Sequence, residues 1–341
     1  MRAPPSGRRA RCRDGRFGRV ITVGTEPGPV LRVSPLGARV VSLTVPVGGQ
    51  RREVTCGVED EAFRRTPHFL GATVGRYANR IARGDLPVEG APHRLATQET
   101  GHTLHGGPDG FDQRTWEVVE TSADHVVLAL DSPDGDQGFP GRVRATARYD
   151  VRPDGVVVTL GATTDAATYV CLTNHTYFSL GAPGDGDVRD HRLQVLADRF
   201  LPVDAELIPT GEVADVDGTP FDLRALTRLG DVVAGEHPQL VDGLDHNYVL
   251  DGDATQVRLV SPSGDLTLEL TTDQPGVQVY TGQGLDQVRD HGDRPDFAAY
   301  AGIALEPQVF PDSPHHPEWP SAVLRPGEEY RHVTSWRFVT A

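Results

Sequence analysis

Two short runs of this sequence put proton-handling side chains in settings where they could do chemistry. Asn174-His175-Thr176-Tyr177-Phe178 places a histidine in a strand-like polar and aromatic run, and imidazole is the side chain suited to delivering a proton near neutral pH. Leu305-Glu306-Pro307-Gln308-Val309-Phe310 places a lone carboxylate among apolar neighbours. A glutamate so placed needs hydrogen bonds, and desolvation moves its pKa upward, toward that of a useful base. Each residue also has a structural reading, as a packed histidine or a satisfied buried acid.

Other runs could hold a polar ligand. The glycine-punctuated segment 71–84 sets Asn79 and Arg80 among small and apolar residues, where a guanidinium could direct several hydrogen bonds at hydroxyl groups. Taken alone, a surface arginine is the blander reading. The same glycines make no G-x-G-x-x-G and flank no strand-helix unit, so a nucleotide is not expected. His105 precedes Gly106 and Gly107, whose bared backbone permits close approach by a ligand; a packed structural histidine is the alternative. His102 and His105 form a His-x-x-His pair, yet no helix and no third ligand accompany them, so no metal is expected. The doublet His315-His316 reads as a loop feature. Asn174-His175-Thr176 is formally a glycosylation sequon, but no secretion signal precedes it.

Composition removes whole classes of function. The 341 residues contain no lysine, so Schiff-base chemistry and a phosphate-loop lysine are excluded. A net charge of -15 repels polyanions, which argues against nucleic acid. No stretch approaches the ~18 consecutive apolar residues of a membrane span. Cys12, Cys56 and Cys171 show neither disulfide nor zinc spacing, as expected of a reduced, cytoplasmic protein. Residues 1–19 carry seven arginines among Pro, Gly and Ser and are expected to be a disordered leader or a misassigned start.

The elements that must carry these residues are strands. Val143, Ala145, Ala147 and Tyr149 alternate with Arg142, Arg144, Thr146 and Arg148, the pattern of a half-buried strand. Asp154-Gly155 then turns the chain into a returning strand from Val156 to Leu160. Val257 and Leu259, the breaker cluster 261–265, and alternating Leu266, Leu268 and Leu270 form a second hairpin. Further strands are expected at 29–34, 38–46, 115–121, 125–131, 191–197, 276–281 and 330–339. The segment from Phe221 to Leu229 supports at most a short helix. With 38 glycines and 27 prolines as punctuation, the reading is all-β, a large antiparallel β-sandwich in a single domain over 20–341.

Several of these runs recur in the order in which one family carries them: GRYANRIARG at 75–84, LHGGPDGFDQRTWEV at 104–118, NHTYFSLG at 174–181, GLDHNYVL at 243–250, PGVQVYTGQGLD at 275–286 and GIALEPQVFPDSP at 302–314. The chain thereby resembles the aldose 1-epimerase (galactose mutarotase) family from about residue 20 onward. Three departures stand out: Pro307 where the family usually has Thr, Ser179 where it has Asn, and Thr103 where it favours Asn. The resemblance implies a mutarotase-like sandwich that interconverts the α and β anomers of free aldoses such as D-galactose and D-glucose. It implies Glu306 as general base and His175 as general acid, with Asn79, Arg80, His105, Asp245 and Gln278 binding or positioning the sugar. It implies a monosaccharide as the only partner and no cofactor or metal, and it leaves the oligomeric state open. A non-catalytic carbohydrate-binding sandwich and a hexose-6-phosphate 1-epimerase are the alternatives; the first needs neither acid nor base, and Asp245 would repel the phosphate of the second.

Overall fold

The computed structural model describes residues 19–66, 68–182, 184–251, 255–288 and 296–341. The expected arginine-rich leader, apart from Arg19, and Cys12 lie outside the described residues.

Alternation along the chain becomes two packed sheets. In strand Val143–Arg152 the residues Val143, Ala145, Ala147 and Tyr149 are buried, and the strand pairs antiparallel with Gly155–Thr164 from Val143↔Thr164 to Arg152↔Gly155. This hairpin lies within a nine-stranded sheet, where Gly155–Thr164 is followed by Tyr330–Thr340, Leu266–Thr272 and Val257–Val260. A six-stranded sheet runs in the spatial order Tyr177–Phe178, Ile303–Gln308, Gly276–Tyr280, Asp245–Val249, Arg199–Phe200, Ala214–Asp215. Val158, Leu160, Leu268, Leu270 and Trp336 from the larger sheet share one buried cluster with Phe178, Tyr248, Val277, Val279, Ile303 and Leu305 from the smaller. Phe178 and Trp336 meet edge to face across the two layers, their ring centroids 5.2 Å apart. Side chains from facing sheets that interdigitate in this way define a sandwich, as expected from the alternation.

The other face of the six-stranded sheet is different. Gln278 stands opposite both Glu306 and Asn247, and Asp245 stands opposite Tyr280. Because side chains two apart share a face, Asp245, Asn247, Gln278, Tyr280, Glu306 and Gln308 all project on the side away from the main core. A second apolar cluster, with Leu70, Tyr77, Ile81 and Phe139 among its members, covers this side together with Tyr177 and Ala304.

Three local outcomes differ from expectation. Phe221–Leu226 is not helical: Phe221 stacks on Phe200 at 4.2 Å and the Leu223 carbonyl accepts from the Val195 amide, so tertiary partners take this backbone. Thr227–Arg228 adds to the nine-stranded sheet and the helix comes later, at Leu229–Val233. A further short helix, Asp60–Phe63, and the strands Asp245–Val249 and Ile303–Gln308 were not anticipated. Among the described residues no helix is long and apolar enough to cross a membrane.

Candidate active site

His175 sits where the chain exchanges one β partner for another. Thr173–Asn174 pairs with Thr73–Val74, whereas Tyr177–Phe178 pairs with Ala304 and Ile303. Between these two pairings the His175 amide donates to the Ala72 carbonyl at 2.8 Å, and its carbonyl accepts from the Gly71 amide at 2.9 Å. With its backbone bound in both directions, the imidazole is held over the polar face of the six-stranded sheet. Its Nε2 lies 3.5 Å from Glu306 Oε1, just beyond a direct hydrogen bond. Both residues are almost wholly buried, and neither His175 Nδ1 nor Glu306 Oε2 has a hydrogen-bond partner.

Burial sets the electrostatics of the pair. It pushes the Glu306 carboxyl well above the ordinary carboxylate range; the charge of Asp245 adds to the rise and Arg80 opposes it. It pulls the His175 imidazole down to about 3, with His68 lowering it further. Both shifts favour uncharged side chains, which for this pair means the proton on Glu306. Moving that proton to His175 creates an ion pair with the same number of protons.

The segment expected to bind a ligand wraps the other side. Asn79 adopts left-handed backbone (φ 62°), and its Oδ1 accepts from the Arg80 amide at 2.8 Å, which fixes the base of the Arg80 side chain. The Asn79 amide donates to His105 Nδ1 at 3.1 Å, and its carbonyl accepts from the His105 amide at 3.0 Å. An Nδ1 that accepts leaves the proton of a neutral imidazole on Nε2, so His105 is oriented as a donor. Gly106 is required here: a Cβ at its φ of +90° would lie 1.9 Å from the Gly75 carbonyl oxygen. Phe69 wedges against both imidazoles, with ring centroids 4.5 Å from His105 and 5.8 Å from His175.

These groups enclose a cavity of about 320 Å³ lined by Asn79, Arg80, His105, His175, Asp245 and Glu306, six of the seven residues expected from the sequence. That volume lies at the small end of the roughly 300–1,000 Å³ range of small-molecule sites. The seventh, Gln278, stands behind the wall and donates from Nε2 to Asp245 Oδ1 at 2.7 Å; it positions the carboxylate and does not line the cavity. The remaining lining comes from His68, Phe69, Leu104, Tyr177, Leu207, Tyr280 and Gln283. Leu104, Tyr177, Tyr280 and Gln283 lie inside runs singled out in the sequence but were not themselves chosen. His68, Phe69 and Leu207 carried no signal, because they reach the cavity from connecting segments.

One ligand atom each from His105, His175 and Glu306 falls within 4.8 Å of the others, a set that by number and type could gather a metal ion. The donor chemistry fits poorly. His105 Nδ1 is already occupied by the Asn79 amide, and ligation through Nε2 would turn a second N–H toward that amide. His102 is likewise engaged: its Nδ1 accepts from the Arg83 amide at 3.0 Å, so His102 and His105 serve two different amides and form no common site.

A family model described as Aldose 1-epimerase matches residues 19–337. The aldose 1-epimerase of Escherichia coli (strain K12) is 39% identical over 336 residues, spanning 96% of each chain. The galactose mutarotase of Homo sapiens is 38% identical over 297 residues, 86% of each. Among solved structures, a GalM/aldose epimerase homologue from C. elegans matches with a TM-score of 0.88 at 29% identity, over 95% of this chain and 99% of that one.

Proposed function

The chain belongs to the aldose 1-epimerase family, and from that premise we propose that it interconverts the α and β anomers of free aldoses, with Glu306 as base and His175 as acid. Its class is that of an isomerase acting on carbohydrates. The observation that carries the residue assignment is the pair itself: a carboxyl and an imidazole 3.5 Å apart, both buried, each with an unspent polar atom, in a cavity of small-molecule size.

The reaction follows from the proton count. With the ionic form of the pair, Glu306 takes the proton of the anomeric hydroxyl, C1=O1 forms as the C1–O5 bond breaks, and His175 gives its proton to O5. Rotation about C1–C2 turns the other carbonyl face toward O5. On closure His175 takes the O5 proton back, O5 attacks C1, and Glu306 returns its proton to O1. The open-chain stage leaves Glu306 protonated and His175 neutral, which is the state that burial favours. The pocket therefore supports the ring-opened intermediate electrostatically, while the sugar hydroxyls and Arg80 must sustain the ionic form. Protons balance without hydride or phosphoryl transfer, so the reaction requires no cofactor.

The donors are arranged for hydroxyl groups. His105 offers Nε2–H, Arg80 its guanidinium, and Asp245, held by Gln278, accepts. Among the described residues Arg80 is the only guanidinium that lines the cavity, and the carboxyl groups of Asp245 and Glu306 share the space, a poor setting for a sugar phosphate. The relatives named for galactose make D-galactose the first substrate to try, with D-glucose beside it. Polarimetry of freshly dissolved α-D-galactose and α-D-glucose should show the approach to anomeric equilibrium accelerated above the spontaneous rate. An unchanged rate with both sugars, from folded protein, refutes the proposal.

A further inference from the structure

The cavity contains a third imidazole that the reaction above does not use. His68 lines it beside Phe69, and His68 Nε2 is buried without a hydrogen-bond partner. Among the buried histidines outside the cavity, His246 leaves its Nε2 without a partner, whereas His191 and His332 are occupied at both ring nitrogens. His191 accepts from the Leu180 amide at Nε2 and lies 3.2 Å from the Asp187 carbonyl at Nδ1, and His332 sits 2.9 Å from the Leu172 carbonyl and 2.7 Å from the Thr334 hydroxyl. His68 instead shares with His175 the signature of an imidazole nitrogen kept free at the cavity. An unpaired buried polar nitrogen costs free energy unless something completes it.

The wall around His68 is built to bring it in. A Cβ on Gly284 would sit 3.2 Å from His68 Cε1 and 3.0 Å from Tyr280 Oη, so the glycine lets an imidazole and a phenol close over the same backbone. The Gly284 amide donates to Tyr280 Oη at 3.0 Å, which leaves the Tyr280 O–H free to donate. Tyr280 lines the cavity as well. The His68 amide is itself tied to the Thr66 hydroxyl at 3.3 Å.

We infer that His68 is a specificity-determining residue whose imidazole hydrogen-bonds one hydroxyl of the sugar away from the anomeric centre. The inference rests on the reading of this cavity as an aldose site. Burial lowers the His68 pKa, Asp286 opposing, which favours the neutral ring. A neutral imidazole both donates and accepts, as a hydroxyl does. The proton transfers are assigned to Glu306 and His175 and not to His68, so loss of His68 should mainly weaken binding.

The test uses the full chain, with anomer exchange measured by NMR on D-galactose and its 2-, 3-, 4- and 6-deoxy analogues, for wild type, His68→Ala and His68→Gln. Wild-type turnover of galactose comes first; its absence would condemn the epimerase reading itself and not the role of His68. Given that turnover, His68→Ala should raise KM for galactose about threefold to tenfold, the range for one lost neutral hydrogen bond, with kcat nearly unchanged. For one deoxy analogue, the one lacking the partner hydroxyl, wild type and His68→Ala should have the same KM. His68→Gln, which restores a donor and an acceptor, should recover part of the loss. Equal KM values for wild type and His68→Ala on galactose overturn the inference. A KM increase of equal size for galactose and every analogue also overturns it, because that is the mark of a purely structural role.

Discussion

Strand Ile303–Gln308 has two faces, and neighbouring residues on it belong to different chemistries. Leu305 points into the apolar layer between the sheets, where it packs in one cluster with Val277 and Val279. Glu306, one residue on, points into the cavity, 3.5 Å from His175. One face contributes stability through contacts that any well-fitting hydrocarbon could make; the other gives up stability by burying polar atoms without partners. The pocket is therefore a place where the fold spends free energy gained on the opposite side of the same backbone.

That contrast can be attacked from either face. The largest effect should come from the cavity side: Glu306→Gln is nearly isosteric and should lower kcat about 10²–10⁴-fold, as should His175→Asn, with melting temperatures close to wild type. A folded Glu306→Gln protein with wild-type turnover would erase the division. On the core side, Leu305→Ala should cost about 2–5 kcal/mol in urea unfolding while the folded fraction keeps its KM and most of its kcat. A large loss of kcat in that variant would mean that the faces are not separable. Asp245→Ala should raise KM about tenfold to hundredfold, the cost of a charged hydrogen bond, as read by anomer exchange on galactose. Gln278→Met, which frees Asp245 without removing it, should do the same more weakly, about threefold to tenfold.

The smallest expected change is across neutral pH, where kcat/KM should be nearly flat. The working pair carries one proton. As pH falls, a second proton enters only when His175 titrates, at about 3, far below an ordinary imidazole. As pH rises, the single proton is lost only through Glu306, whose pKa burial holds well above the usual carboxylate range. An inflection near 6.5 in the pH profile of kcat/KM would instead mark a solvated histidine and contradict the buried pair.

The same two faces explain what was legible in the sequence. Strands with one face toward water, such as Val143–Arg152 and Leu266–Thr272, announce themselves by alternation and appear where expected. Ile303–Gln308 is buried at all six positions, and Asp245–Val249 at four of five, so no alternation in polarity marks them, and Pro307 argues against a strand. Glu306 was nevertheless singled out as a lone carboxylate among apolar neighbours, and the resemblance to the family supplied its role and the choice of Asp245. Positions that reach the cavity from connections, His68, Phe69 and Leu207, belong to no repeating pattern, and only the folded chain brings them to Glu306. Gln278 was named as binding or positioning the sugar, and only the geometry of its bond to Asp245 tells which of the two it is placed to do.

The change of β partner at His175 bears on how this pocket could be altered. The backbone there is bonded to Gly71 and Ala72 between pairings to two different strands, so the acid cannot be relocated without breaking several ladders at once. His68, Leu207 and Gln283 are not bound to such ladders. Selection for a new aldose, in the laboratory or in descent, has a route through those connecting segments that leaves the proton machinery untouched, so libraries confined to them should yield changed sugar preference at preserved turnover.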